Sequence, residues 1–394
     1  MPMYKENLES DPLEFDFLEN VRRKILRALE ESGFSIIDGK SLFVPEQKDF
    51  IRDVHQSSVK FLRDKKKEFI EKVDCDFVDK YIIDGSELDV PNIQPKLVPI
   101  FDKTQNSLFN WIKLHWSIPI SAGYGRRLRY LVMDHSNSAV IGIIGLSDPV
   151  YGLKDRDRYI GWSHYTRKSM LKHMMDAFVL GAVPPYSKLL GGKLVASLLM
   201  SSRILEDFRK KYKGRKTLIS GEEFDGRLAA ITTASALGKS SIYDRINVPG
   251  SSRFIHVGWS SGSGEFQFFN GVYDDIFKIA HHNAEHLKNR KWGNGVRNRR
   301  TVILTGLEIL GLPDKLLYHN IKRELFLIPL GRKSLEYLRG SARQIQPYNA
   351  TVQEISNYAV KRWLVPRSIR KLDYLEFSKQ NYSLLNACIN SKSK

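Results

Sequence analysis

The stretch VLGAVPPYSKLLGGKLVASLL, residues 179–199, reads as an apolar strand, a Pro-Pro-Tyr turn, a glycine pair and then an apolar-periodic helix. A strand that turns into a helix over glycines sets the class as α/β. The turn also sits at a helix N-terminus, where the first backbone N–H groups have no partner and can hold an anion. The same glycines equally permit tight packing of helix on strand, because neither carries a Cβ.

The pattern extends outward on both sides. Upstream, RYLVM and AVIGIIGL are short apolar runs joined by a polar turn, an antiparallel hairpin followed by the strand DAFVLGAV. Downstream come a helix, KLVASLLMSSRILEDFRKKY, a strand, KTLIS, a helix around AAITTASALGKSSIYDRI, and two strand-like runs, SRFIHVGW and GEFQFFNGVY. At the N-terminal end, Phe15, Leu18, Val21, Ile25 and Leu29 recur every three or four residues, which is a helix ended by Gly33. A second, lysine- and arginine-rich helix starts from Pro45, and three prolines within 84–100 read as an extended linker. The expected division is a helical region with a Pro-rich linker over 1–100, a mixed-sheet α/β (α+β) core over 101–275, and a basic helical region over 276–394.

Lysine and arginine number 62 against 44 acidic residues in 394, a formal charge of +18. An excess of that size favours a polyanionic partner, DNA first among them, bound through counterion release. Two cysteines, Cys75 and Cys388, without C-x-x-C spacing support neither a disulfide framework nor a cysteine zinc site. The N-terminus lacks the basic start and apolar run of a signal peptide, and no apolar stretch reaches the roughly 18 residues of a membrane-spanning helix. The expectation is a cytoplasmic protein with no membrane partner.

The order hairpin, strand, turn, helix, strand, helix, strand pair over residues 128–275 resembles the GNAT acyltransferase fold. That resemblance implies acyl-CoA as cofactor, with its pyrophosphate on the turn quoted above. Tyr186 and Leu189 stand where the family carries Gln or Arg and its first Gly, with Gly191 at the last position. In a shifted frame Lys188, Gly191, Gly192 and Lys193 become the cofactor-binding candidates, and Tyr243 stands on the helix that supplies a general acid in such enzymes.

A second resemblance covers about residues 51–340. IRDVH, LHWSIPISAGYGRRLRYLV, MDAFVLGAVPPYSKLLGGKLVASLLMS, TTASALGKSSIYDR, WGNGVRNRR and KRELF, in this order, are similar to the DruA family of the Druantia anti-phage defence system. This resemblance implies antiviral defence with partner subunits that include a helicase-like protein. It brings no catalytic mechanism with it.

Within these stretches, SAGYGRRLR offers Arg126, Arg127 and Arg129 to phosphate and Tyr124, as an exposed ring, to an unpaired base. Strand alternation would leave one or two of the arginines to pair with Asp134 or Asp148. Lys239, Ser240 and Ser241 stand at a helix start beyond Gly238, where they can contact phosphate, while Ser240 or Ser241 can equally cap the helix. NRKWGNGVRNRR sets Arg290, Lys291, Arg297, Arg299 and Arg300 around Trp292, a pattern suited to nucleic acid. Asp148, Asp155 and Asp157 could carry Mg²⁺ in a nuclease, although the interleaved Arg156 and Arg158 argue for salt bridges instead. His281, His282 and His286 share a helix with an i, i+4 pair but not the H-E-x-x-H order of a zinc protease.

Overall fold

The computed structural model describes residues 12–37, 41–43, 45–216, 221–284 and 296–385. In chain order the first elements are α1 (Pro12–Glu31), β1 (Ser35–Ile37), β2 (Ser41–Phe43), α2 (Lys48–Asp64), α3 (Lys67–Tyr81), β3 (Pro95–Pro99) and α4 (Lys103–Lys113). Then follow β4 (Arg127–Asp134), β5 (Val140–Ser147), α5 (Lys154–Ile160), α6 (His164–Met170), β6 (Met174–Ala182), α7 (Gly191–Ser197), α8 (Ser202–Tyr212), β7 (Ala230–Ala234) and β8 (Ile255–Trp259). The last are α9 (Tyr273–Asn283), α10 (Val296–Ile309), β9 (Glu324–Pro329), α11 (Ser334–Arg339) and α12 (Val352–Ala359).

These elements form two compact units, one of residues 1–66, 117–119 and 261–323, the other of 67–116, 120–260 and 324–394. The boundary between Arg323 and Glu324 falls inside the segment read from the sequence as a basic helical region. Cys75 lies on α3, and Cys388 lies outside the described residues.

The larger unit carries a seven-stranded sheet in the order β3-β4-β5-β6-β7-β9-β8. Every neighbouring pair is antiparallel except β6 and β7, which run parallel from Met174 opposite Ala230 to Ala177 opposite Thr233. β6 continues to Ala182 on β5 alone, so the sheet opens beyond that pair. β5, VIGIIGLS, is buried along its whole length, as an unbroken apolar run in a doubly covered sheet should be. One face packs Tyr130, Val132, Ile144 and Met175 against Leu194, Leu198, Ile204 and Phe208 of the helical stretch 191–212 and Ile355 of α12. The other packs Leu131, Ile143 and Val179 against Phe77, Phe109, Trp111 and Ile112 of α3 and α4, with Met174 and Leu327 under α5 and α11.

Several expectations are corrected. The Pro-rich stretch 84–100 is not all linker: it ends in the edge strand β3, where prolines do not interrupt an inner ladder. The residues 229–246 read as a helix contain β7 and one 3₁₀ turn, Tyr243–Arg245, because Ala and Thr in AAITTA are placed by strand pairing rather than by helix propensity. GEFQFFNGVY holds a 3₁₀ turn, Phe266–Phe268, in place of a strand. The region read as basic and helical after 276 supplies β9, an inner strand of the sheet. The long helix after the quoted turn is two, broken at Ser201. KTLIS lies outside the described residues from 217 onward.

In the smaller unit, α1 buries Leu18, Val21, Ile25 and Leu29 as its periodicity requires. His55 is fully buried, 3.9 Å from the Phe266 ring centre, and its Nε2 lies 3.2 Å from the Arg323 guanidinium, which donates to it. His319 accepts the Ile321 N–H at Nδ1. Burial, with the Arg323 charge adding to it, holds both imidazoles neutral, their pKa values lowered to about 3. In the unfolded chain each would titrate near pH 6.5, so the unfolded state takes up protons first. Stability is therefore intact above about pH 6.5 and is lost as pH falls towards 3. Melting temperature should drop steadily between about pH 6.5 and about pH 4, and His55→Gln should shallow that slope. An unchanged slope in the variant would contradict this origin.

Candidate nucleic-acid interface

The loop ahead of β4 is shaped by two glycines. Gly123 and Gly125 have φ of +66° and +65°, and a Cβ on Gly125 would lie 2.0 Å from Asp148 Oδ2. This close approach brings the Arg126 backbone N–H to Asp148 Oδ2 at 3.0 Å and its Nε to Oδ1 at 2.6 Å. The guanidinium also donates to the carbonyls of Lys172 and Met174 and lies over the rings of Phe208, Tyr212 and Phe224 at 5.2–5.7 Å. Arg126 is consequently a structural anchor, and Asp148 is consumed by it.

Arg127 and Arg129 follow on the same side of β4 by strand alternation. Arg127 is exposed, its guanidinium donating to the Gly123 carbonyl; Arg129 donates to Asn106 Oδ1 at 2.7 Å and lies over Phe109. Lys113, at the end of α4, donates to the Ser121 carbonyl and lies 5.8 Å from the Phe178 ring centre. Lys211, near the end of α8, donates to the Arg127 carbonyl. Arg215, just beyond, lies over Tyr212.

Among the described residues these cations bond neutral acceptors and aromatic faces, and Lys113, Arg129 and Lys211 feel their neighbours' charge. Burial and then Arg129 and Arg127 lower Lys113 to about 8. Burial, Arg129 and Arg215 lower Lys211, and burial with Arg127 lowers Arg129. The cations at the mouth of this strand therefore repel one another. Lys113 and Lys211 were absent from the sequence reading. The periodicity of KTQNSLFNWIK, which puts Lys103, Asn106, Asn110 and Lys113 opposite Leu108, Trp111 and Ile112, was the signal for the first of them.

The remaining expected residues separate from this cluster. Tyr124 is half-buried rather than an exposed stacking ring, and burial, Asp176 and Asp148 raise its hydroxyl well above the ordinary range. Asp134 takes the Tyr186 hydroxyl, the Gln94 N–H and the Ser136 hydroxyl instead of an arginine. Asp157 is held by Arg156 and Arg167, and Asp155 by Arg158 and the Trp259 N–H. No group of three or more potential metal ligands occurs among the described residues. Lys239 is exposed; beside it the Ser240 N–H donates to Glu324, and the Ser240 hydroxyl accepts the N–H groups of Ile242 and Tyr243. Arg299 pairs with Glu265 and Arg300 lies over Tyr318, both in the smaller unit. Arg290, Lys291, Trp292 and His286 lie outside the described residues, as does the Arg297 side chain; His281 is 4.0 Å from the Phe277 ring centre and His282 is exposed.

At the quoted turn, Tyr186 and Leu189 are wholly buried. A Cβ on Gly191 would stand 2.5 Å from the Tyr186 carbonyl oxygen, so this glycine serves the turn's own closure, whereas one on Gly192 would meet only Ile242. Lys188 donates to the Asp373 carbonyl at 2.7 Å. Lys193 lies 5.4 Å from the Trp363 ring centre, with its pKa lowered by burial and by Arg245 and Arg362. Tyr243 stacks on Phe254, and burial, against the counter-pull of Thr233, raises its pKa to about 12.

The chain matches the family described as Druantia protein DruA over residues 45–340. A protein of Escherichia coli (strain UMEA 4076-1) with that description is 37% identical over 361 residues, spanning 90% of this chain and 88% of its own length. No solved structure matches.

One acid that the sequence reading passed over is Asp176, the lone charge in MMDAFVLGA of β6. Its Oδ1 accepts the Thr232 hydroxyl at 2.7 Å across the parallel pair, and burial lifts its pKa from 3.8 to about 6 against the counter-pull of Thr232 and Arg156. Thr232 and Thr233 alternate on β7, so Asp176 and Tyr243 lie on opposite faces of the sheet. The folded state holds this proton more tightly than the unfolded one, so stability falls as pH rises from about 4 to about 6 and stays reduced above. Asp176→Asn keeps an acceptor for Thr232 and removes the charge. The variant should melt like the parent near pH 4 and be more stable at neutral pH, by up to about 3 kcal/mol. Equal stability of the two proteins at neutral pH would show the carboxylate to be well solvated.

Proposed function

The chain belongs to the Druantia DruA family, components of an anti-phage defence system, and from that premise we propose that it binds nucleic acid, DNA in the first place, as a recognition or adaptor subunit beside a helicase-like partner. The observation that carries the reading is the cation group Lys113, Arg127, Arg129 and Lys211, held together without carboxylate partners among the described residues. Such a group costs free energy in the isolated protein through mutual repulsion, and a phosphate backbone relieves it while releasing counterions. The +18 balance of the whole chain supports the same partner. In the larger unit, arginines at buried positions neutralise the neighbouring carboxylates, and the exposed excess is left to an external anion.

The sheet order favours a second reading. One parallel pair stands between an antiparallel strand set and a returning antiparallel pair, which supports a GNAT-like core and with it acyl-CoA at Lys188, Gly191, Gly192 and Lys193. Against it, both lysines are already engaged within the chain, and Tyr243 and Asp176 do not converge on one face.

Binding to a labelled DNA should weaken steeply with salt, with a log–log slope of about −3 for a single strand and nearer −4 for a duplex if four phosphates are contacted. Arg127→Glu should lower both the affinity and that slope, by roughly one unit. Because Lys113 carries its proton only below about pH 8, affinity should also decline as pH rises through that value. Salt-insensitive retention, or none at low ionic strength, would end the first reading. For the second, titration calorimetry with acetyl-CoA should give saturable heat that Lys193→Glu abolishes; absence of heat with the parent protein would end it.

A further inference from the structure

An aromatic side chain stands beside the cation group with no evident part in the core. Phe101 is 86% exposed, the most exposed large hydrophobic residue among those described. Its place is fixed by its neighbours: the Ile100 N–H donates to the Arg129 carbonyl at 3.0 Å, which sets residue 101 one step beyond Arg129 on the sheet edge. The Phe101 N–H donates to Gln105 Oε1 at 2.8 Å, and Asp102 completes a capping box on α4 by accepting the Gln105 N–H. The nearby carboxylate of Asp102 is thereby turned to the helix end. The ring projects from an ordered backbone, so little entropy would be lost in using it.

From the same helix, Lys103, Asn106, Asn110 and Lys113 recur at spacings of three and four, a polar stripe running about 15 Å from the ring towards Arg129 and Lys113. Isolated exposed hydrophobics are ordinary. An exposed ring at one end of a stripe of amides and of cations that meet no carboxylate among the described residues is a different arrangement, one that supplies a stacking face, phosphate contacts and donors to base edges together. A duplex keeps its bases stacked on one another and offers this ring no face.

We infer that the site takes an unpaired nucleotide strand, with Phe101 stacked on a base and Arg127, Arg129 and Lys113 on the flanking phosphates. This rests on the nucleic-acid reading above and specifies the form of nucleic acid recognised. Stacking of a base on an aromatic ring is independent of sequence, so the site should tolerate any base composition.

The test is fluorescence anisotropy with one labelled sequence prepared as single-stranded DNA, as single-stranded RNA and as duplex DNA, at equal ionic strength, on the full chain. Single strands should bind more tightly than the duplex. Phe101→Ala should weaken single-strand binding about tenfold while leaving duplex binding unchanged, and Phe101→Trp should restore it where Phe101→Leu does not. Preference between the DNA and RNA strands then identifies the source of the unpaired strand. Duplex binding equal to or tighter than single-strand binding, or single-strand binding indifferent to Phe101→Ala, overturns the inference and leaves the nucleic-acid reading standing. Failure of the parent protein to bind any of the three overturns both.

Discussion

A guanidinium held among three aromatic rings governs the entrance to the central sheet. Arg126 reaches from the loop before β4 to Asp148 after β5 and to the carbonyls of Lys172 and Met174 at the start of β6, while Phe208, Tyr212 and Phe224 enclose it. A mostly buried arginine is tolerable only when its donors are met and its charge is paired, and here both conditions hold. Removing Asp148 would leave a buried charge uncompensated. The tie therefore joins three successive strands at one end and seats α8 against them, which fixes where the next two arginines of the same run emerge.

That division of labour explains why three arginines of one run, chemically alike, end with different roles. Arg126 lies before the strand and turns inward; Arg127 and Arg129 lie on the strand, two residues apart, and share one side of it. Lys113 and Lys211 approach from α4 and α8, which the hydrophobic faces of the sheet hold in place. The repulsion among these cations is small beside the apolar burial that positions them, so the fold can keep them close without internal counter-charges. Sites assembled at such a cost are where binding function commonly resides.

Much of this was legible in the sequence. The hairpin of β4 and β5, the strand β6, the turn after it and the first helix all follow from periodicity and turn residues, because each is decided by local pattern. The family was legible too, from ordered stretches over most of the chain. What escaped was decided by tertiary pairing. AAITTA carries no strong preference and becomes a strand only because β6 and β9 stand on either side of it; β9 lay hidden in a basic segment whose charges flank an apolar run of six. Among the site residues, composition could not separate an arginine that anchors from one that is presented. Lys113 and Lys211 are sixteen residues before and eighty-two after Arg129 in the chain, and no local pattern brings them together.

The carboxylates near the sheet show the same logic from the opposite sign. Asp148, Asp155 and Asp157 each meet an arginine inside the larger unit, so acids and bases that alternate in DRDR cancel locally and add nothing to the outer field. Asp176 is the exception, a carboxyl at the point where β6 and β7 part, supported by a hydroxyl and more distantly by Arg156. Neutralised carboxylates withdraw their charge from the surface, while the cations at the strand mouth lack that compensation. Among the described residues, Arg127, Arg129, Lys113 and Lys211 instead donate to neutral acceptors, so their charge is not cancelled by a carboxylate of the kind that meets Arg126, Arg156 and Arg158.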